Sequence, residues 1–130
     1  MFKNQIPQWP DFARNQDHPS KPEMVKYDSE TYPQPGDPAQ GWGLSFFSLL
    51  HPGPTGRAAG TVWWSGVANL IWWADVENGI GGMIAAQILP FGGEWHLGVA
   101  CLRLLTIAAD DDFSDCHEEV ESKLYAALIV

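Results

Sequence analysis

The feature that most narrows what this chain can become is Asn78-Gly79, set between two strongly apolar runs. One run is Ala68 to Val76, with Leu70, Ile71, Trp72 and Trp73; the other is Gly81 to Leu89, with Met83, Ile84, Ile88 and Leu89. Asn and Gly accept the positive φ that a tight hairpin demands, so Glu77-Asn78-Gly79 predicts a turn between two antiparallel strands. Pro90 ends the second strand, because proline brings no N–H to the ladder. Both runs are apolar at odd and even positions alike, which predicts a sheet covered on both faces.

Further strands precede this hairpin. Gly41 to Leu50, with Trp42, Leu44 and Phe46, reads as one strand in which Gly41 and Gly43 permit close backbone approach. His51-Pro52-Gly53-Pro54-Thr55-Gly56 reads as a turn, and Thr61 to Trp64 as a short β-rich run. Near the C-terminus, Ser114 to Leu128 reads as an amphipathic helix within a C-terminal segment 111–130. Phe113, Cys116, Val120, Leu124, Ala127 and Leu128 recur at helical spacing and are expected to face the core. Glu118, Glu119 and Glu121 are expected in solvent. Ser114 suits an N-cap, and Asp115 suits the positive end of the helix. The fold class expected is α+β: an antiparallel meander of about four strands with a C-terminal helix.

Residues 1–40 read differently. Seven prolines lie there, yet Trp9, Phe12, Tyr27 and Tyr32 are interleaved with them. Proline excludes a lasting helix or central strand, whereas a disordered tail would be poor in aromatics. This segment is therefore expected to be a long ordered arm packed on something else. Residues 41–92 would form the sheet. Leu97 to Ala108 is apolar, and periodicity does not decide between strand and helix.

Composition excludes several functions. The net charge of −9 argues against nucleic acid, whose phosphates need clustered Lys and Arg. It also disfavours an anionic membrane surface. No apolar run is long enough to span a bilayer, and the N-terminal residues lack the apolar stretch of a secretory signal, which tilts expectation toward the cytoplasm. Cys101 and Cys116 make neither a disulfide framework nor a zinc site and are expected as unpaired, buried thiols. His18, His51, His96 and His117 lack metal-ligand spacing, so no metal is expected. Asp110-Asp111-Asp112 lacks the calcium-loop pattern, and Gly79 to Gly82 lacks the flanks of a phosphate loop.

An ordered series of short motifs carries a resemblance. Gly41-Trp42-Gly43-Leu44, Pro54-Thr55-Gly56-Arg57, Gly60-Thr61-Val62-Trp63-Trp64-Ser65-Gly66, Ala68 to Asp75 and Gln87-Ile88-Leu89-Pro90 follow one another with strand–turn–strand spacing. Together they resemble the C-terminal third of β-lactamase-related serine hydrolases: class C β-lactamases, family VIII carboxylesterases and related acyltransferases of polyketide pathways. The resemblance implies a partial serine β-lactamase/transpeptidase-like fold. It also implies acyl transfer through a serine in a Ser-x-x-Lys motif, assisted by a Tyr-x-Asn-type tyrosine, with no cofactor. Trp64-Ser65-Gly66 stands where such proteins carry their Lys-Thr-Gly or Trp-Gly-Gly-like strand, so Trp64, Ser65 and Gly66 would contact substrate. The backbone N–H of Val67 would be one oxyanion-hole donor. Trp64 in place of lysine removes the partner for a substrate carboxylate, which points to a small neutral ester or acyl substrate. Trp72 and Trp73 are expected as core, and Ser65 has no Gly-x-Ser-x-Gly context that would make it a nucleophile.

No serine in these 130 residues has lysine three positions on, and none of Tyr27, Tyr32 or Tyr125 begins a Tyr-x-Asn. Nucleophile and base are thus absent, and the chain is expected to be inactive alone and to expose apolar surface. Two other readings stay open: a Trp-rich binding module, and a subunit that complements a nucleophile-bearing chain. Residues 93–110 interrupt the resemblance, either as a natural insertion or as a retained intron. Codons GGT-GAG-TGG for Gly93-Glu94-Trp95 would contain a splice-donor-like GTGAGT, and excision would join Gly92 to the Asp111 region in frame. Transcript sequencing separates the two: a spliced message as the sole product supports the intron, and abundant unspliced message opposes it.

Overall fold

The computed structural model describes residues 1–15, 32, 34–87 and 111–128. Five strands form one antiparallel sheet in chain order: β1 (Gln40–Trp42), β2 (Phe47–Leu49), β3 (Val62–Gly66), β4 (Leu70–Asp75) and β5 (Ile80–Ala85). One helix, α1 (Asp111–Leu128), follows. The arrangement is an α+β meander with a C-terminal helix, with five strands rather than about four.

The additional strand comes from Gly41 to Leu50, which is a hairpin and not one strand. Trp42 pairs with Phe47, and the Gly43 N–H donates to the Phe46 carbonyl at 2.8 Å, reversing the chain across residues 43–46. A side chain at Gly43 would collide with the Phe46 ring, so this glycine serves the reversal. No proline or Asn-Gly pair marks the turn in the sequence.

β4 and β5 pair from Leu70↔Ala85 to Asp75↔Ile80, so the hairpin foreseen at Asn78-Gly79 is present. Its loop has four residues, and Gly79 alone of the pair takes positive φ, at 67°. Asn78 acts instead through hydrogen bonds: its N–H and side-chain amide donate to the two Asp75 carboxylate oxygens at 3.0 and 2.8 Å. An Asp side chain that accepts from the backbone a few residues on is a recurrent way to fix a turn.

Trp63 and Trp73 are cross-strand partners on β3 and β4 and form the centre of the core with Tyr32, Phe47, Leu49 and Ala13. Across from Trp73 stands Gly82, where a Cβ would lie 2.5 Å from the indole. The missing side chain lets the benzene edge of the indole lie against β5. Gly82→Val should therefore destabilise the chain by about 1–3 kcal/mol, read as a shift in urea midpoint, because the overpacked indole has to leave its rotamer. An unchanged midpoint would place the ring elsewhere.

The expectation of a sheet covered on both faces is corrected. Residues of β5 alternate between half-buried and exposed, and Met83 is 68% exposed. One face of β5 has no covering layer among the described residues, although its apolar sequence looked doubly buried. The N-terminal residues do run along the outer edge of β1: the Gln5 N–H donates to the Trp42 carbonyl at 2.8 Å, and the Gln40 N–H to the Pro10 carbonyl at 2.7 Å.

α1 is turned opposite to expectation. Cys116, Val120, Leu124, Ala127 and Leu128 are exposed, while His117, Glu121 and Tyr125 are buried. Glu121, expected in solvent, has no exposed surface, and Cys116 is a free, exposed thiol rather than a buried one. The cause is Arg57, which is itself fully buried and takes the helix face that offers a counter-charge. Cys101, His18, His96, Tyr27, the β5 extension to Leu89 with Pro90, and the segment 93–110 lie outside the described residues, as do the side chains of Phe113, Ser114 and Asp115.

Candidate functional site

β3 outruns its neighbour on one side. β2 pairs with it only at Ser48↔Val62 and Phe47↔Trp63, whereas β4 pairs along its whole length, through Trp64↔Trp72, Ser65↔Ile71 and Gly66↔Leu70. Trp64, Ser65 and Gly66 thus have a sheet edge with no strand beside it among the described residues. The Leu49 N–H donates to the Thr61 carbonyl at 2.9 Å, which fixes odd-numbered residues of β3 as those turning their polar backbone groups toward β2. Ser65 therefore presents its N–H and C=O at the open edge. The Gly66 carbonyl points to β4, and in a trans peptide the next N–H points the other way. The Val67 N–H accordingly faces the open edge as well.

Val67 opens a three-residue loop, Val67-Ala68-Asn69, that returns the chain to β4. Asn69 closes it with φ of 55°. A loop of this length is commonly a type I turn ended by a left-handed residue. Val67 is 53% exposed. A Cβ on Gly66 would meet only Leu70, at 3.7 Å, so packing does not require glycine there. Trp64 is half-buried and meets Trp42 edge-on, with ring centroids 4.7 Å apart. The four residues singled out from sequence, Trp64, Ser65, Gly66 and Val67, are consecutive along one strand end and its turn.

A second cluster was missed. Arg57 sits on the turn after β2, under α1. It ion-pairs with Glu121, donating from Nε to Oε1 and from Nη2 to Oε2, the latter at 3.0 Å. Its Nη2 also lies 3.3 Å from His117 Nε2, and His117 Nε2 lies 3.2 Å from Glu121 Oε2. The guanidinium covers the Tyr32 ring at 4.1 Å and lies 5.4 and 5.7 Å from the Trp73 and Trp63 rings. Burial raises the cost of the Glu121 charge, but hydrogen bonds from His117 and Arg57 and the charge of Arg57 outweigh it, so its carboxyl lies below the usual range. Among the described residues no acceptor meets Arg57 Nη1.

The next turn of α1 continues the polar seam. Tyr125 donates its hydroxyl to Asp75 Oδ2 at 2.9 Å, and the Ala58 N–H donates to the same oxygen at 2.9 Å. Gly56 lies under the Tyr125 ring, where φ of 109° and a Cβ contact of 2.6 Å both demand glycine. Burial pushes the Asp75 carboxyl up, yet four hydrogen bonds, from the Ala58 and Asn78 N–H groups, the Asn78 amide and Tyr125, bring it down to about 2. Burial and the Asp75 charge raise the Tyr125 hydroxyl above its usual value.

The sign for Asp75 follows. A carboxyl lowered from 3.8 to about 2 stabilises the fold fully above pH 4, and the gain disappears as pH falls from about 4 toward 2. It amounts to about 2 kcal/mol at neutral pH. Asp75→Asn should flatten that part of the stability–pH curve. A curve of unchanged slope between pH 4 and 2 would show that another group carries it.

The Arg57 cluster has the marks of architecture: it is fully buried, and its charges are neutralised within it. The open edge at Ser65 and Val67 has backbone groups without a strand partner among the described residues. Among the described residues no His, Cys, Asp and Glu cluster could hold a metal ion, and no helix is long and apolar enough to cross a membrane. No family model, curated protein or solved structure matches the chain.

Proposed function

We propose that this chain is the C-terminal part of a β-lactamase-related serine hydrolase, an esterase or transesterase acting through a serine acyl-enzyme, and that it supplies one wall of the acyl-transfer cleft. The observation that carries the reading is the open edge of β3, where the Ser65 and Val67 N–H groups face outward beside a glycine that packing does not require. Val67 would donate to the oxyanion, with the nucleophile's own N–H as the second donor. Gly66 lets the ester carbonyl approach the strand. Trp64 gives an apolar flank without a cation, which favours neutral esters over substrates bearing a carboxylate.

These 130 residues hold no Ser-x-x-Lys, so chemistry needs a segment that carries it, on the same polypeptide or on another. Hydrolysis of a p-nitrophenyl ester tests this. The chain alone should give no turnover above buffer, and turnover should appear when the product of a neighbouring Ser-x-x-Lys reading frame is added. Turnover by the chain alone, or none with that partner, would overturn the proposal.

A further inference from the structure

Among the described residues the apolar core forms without α1. It consists of Ala13, Tyr32, Phe47, Leu49, Trp63 and Trp73, with Phe12, Trp42, Trp64 and Ile84 packed against it, and no residue of the helix belongs to it. The large aliphatic side chains of the helix, Val120, Leu124 and Leu128, are exposed instead. What joins α1 to the sheet side is polar. Glu121 takes the Arg57 guanidinium, with Nη2 to Oε2 at 3.0 Å. His117 meets Arg57 and the edge of Trp73, and Tyr125 donates to Asp75. Such an attachment depends on protonation, whereas apolar burial does not.

We infer that α1 is an acid-released latch: protonation of Glu121 undocks the helix as a unit, while the sheet and its aromatic core stay folded. The groups facing Glu121 are Arg57 from the turn after β2 and His117 from its own helix, with Tyr32 and Tyr125 within electrostatic reach. Glu118, Glu119 and Lys123 stand in solvent on the other side of α1. The Glu121 carboxyl lies below its ordinary 4.5 despite burial, because His117 and Arg57 donate to it. Its hold on the helix is therefore complete above about pH 4.5 and is lost as pH falls through the lowered value. Asp75 responds differently. The bonds it accepts from Ala58 and Asn78 stay on the sheet side when the helix leaves, and the Tyr125 bond alone of these crosses the seam. Release strands no buried charge, since the Glu121 carboxyl goes into water with the helix. Arg57 keeps the Tyr32, Trp63 and Trp73 rings as neighbours. An isolated helix of 18 residues is marginal in water, so the released segment frays.

Amide hydrogen exchange of the full chain, followed by mass spectrometry from about pH 6 to about pH 3 and corrected for intrinsic rates, tests the latch. Peptides from α1 should be at least about tenfold less protected than those from β3 and β4 throughout, because the helix opens without the sheet. Their protection should fall further, by about tenfold or more, toward pH 3. Glu121→Gln should lower α1 protection at pH 6 and flatten its pH dependence between about pH 5 and 3. Equal protection of α1, β3 and β4 would show one cooperative unit and overturn the inference. So would α1 protection in the unaltered chain that holds down to pH 3. A pH step that survives in Glu121→Gln assigns the response to another group, such as Asp75, and overturns it too.

Discussion

Arg57→Ala should cost about 3–5 kcal/mol of stability, the largest loss expected of any single substitution in this chain, because it leaves the Glu121 carboxylate buried without its cation. Glu121→Ala should cost a similar amount by stranding the guanidinium. Both residues are fully buried, and two hydrogen bonds join them. The loss should appear first at the helix, since the buried face of α1 is His117, Glu121 and Tyr125, and these bind the sheet side through Arg57 and Asp75. Urea unfolding followed by far-ultraviolet circular dichroism measures the loss.

The paired replacement behaves differently. Arg57→Met with Glu121→Leu removes both charges together, along with the Nη1 donor that lacks an acceptor among the described residues. It should leave stability unchanged or raise it by about 1–4 kcal/mol. Arg57→Met, Glu121→Leu and their combination form one cycle, whose coupling energy measures the pair. If the single variants cost under about 1 kcal/mol, the pair behaves as a surface contact and the buried arrangement is wrong.

The second large effect concerns chemistry. Val67→Pro removes one N–H at the open edge and little else, because proline suits the second position of a type I turn and the preceding Gly66 already lies in a strand. Under the proposed function, with a Ser-x-x-Lys segment supplying the nucleophile, kcat for a p-nitrophenyl ester should fall about 10²- to 10³-fold with stability intact, the loss typical of one oxyanion-hole donor. Val67→Ala keeps the N–H and should retain activity. Equal losses in the two variants would point to side-chain packing instead of the backbone donor.

The sheet was legible because hairpin chemistry is local. Asn78-Gly79, and the alternation of apolar runs with Pro/Gly turns, located β3, β4 and β5 before any packing was known. The reversal at Gly43 to Phe46 was not legible, since it depends on a ring packing over a glycine rather than on a turn-specific pair. α1 was found within three residues at its start, but its orientation was misjudged. Periodicity reports which residues are apolar, whereas the sheet side offered a buried cation. One ion pair plus the Tyr125–Asp75 bond outweighed an apolar stripe. A signal was present in the sequence: His117, Glu121 and Tyr125 share a four-residue spacing on one face, and Arg57 lies within a Pro-Thr-Gly-Arg turn. Trp64 to Val67 were singled out by motif resemblance. That their backbone groups face an open edge required the register of β2 against β3.

A crystal structure of the chain together with the proposed Ser-x-x-Lys segment, trapped as an acyl-enzyme, tests the proposed cleft most directly. The expected result is a Val67 nitrogen about 2.7–3.1 Å from the acyl carbonyl oxygen, with the ester group lying along Trp64 to Gly66. An acyl group held at some other rim, with the edge of β3 filled by another strand, would contradict it.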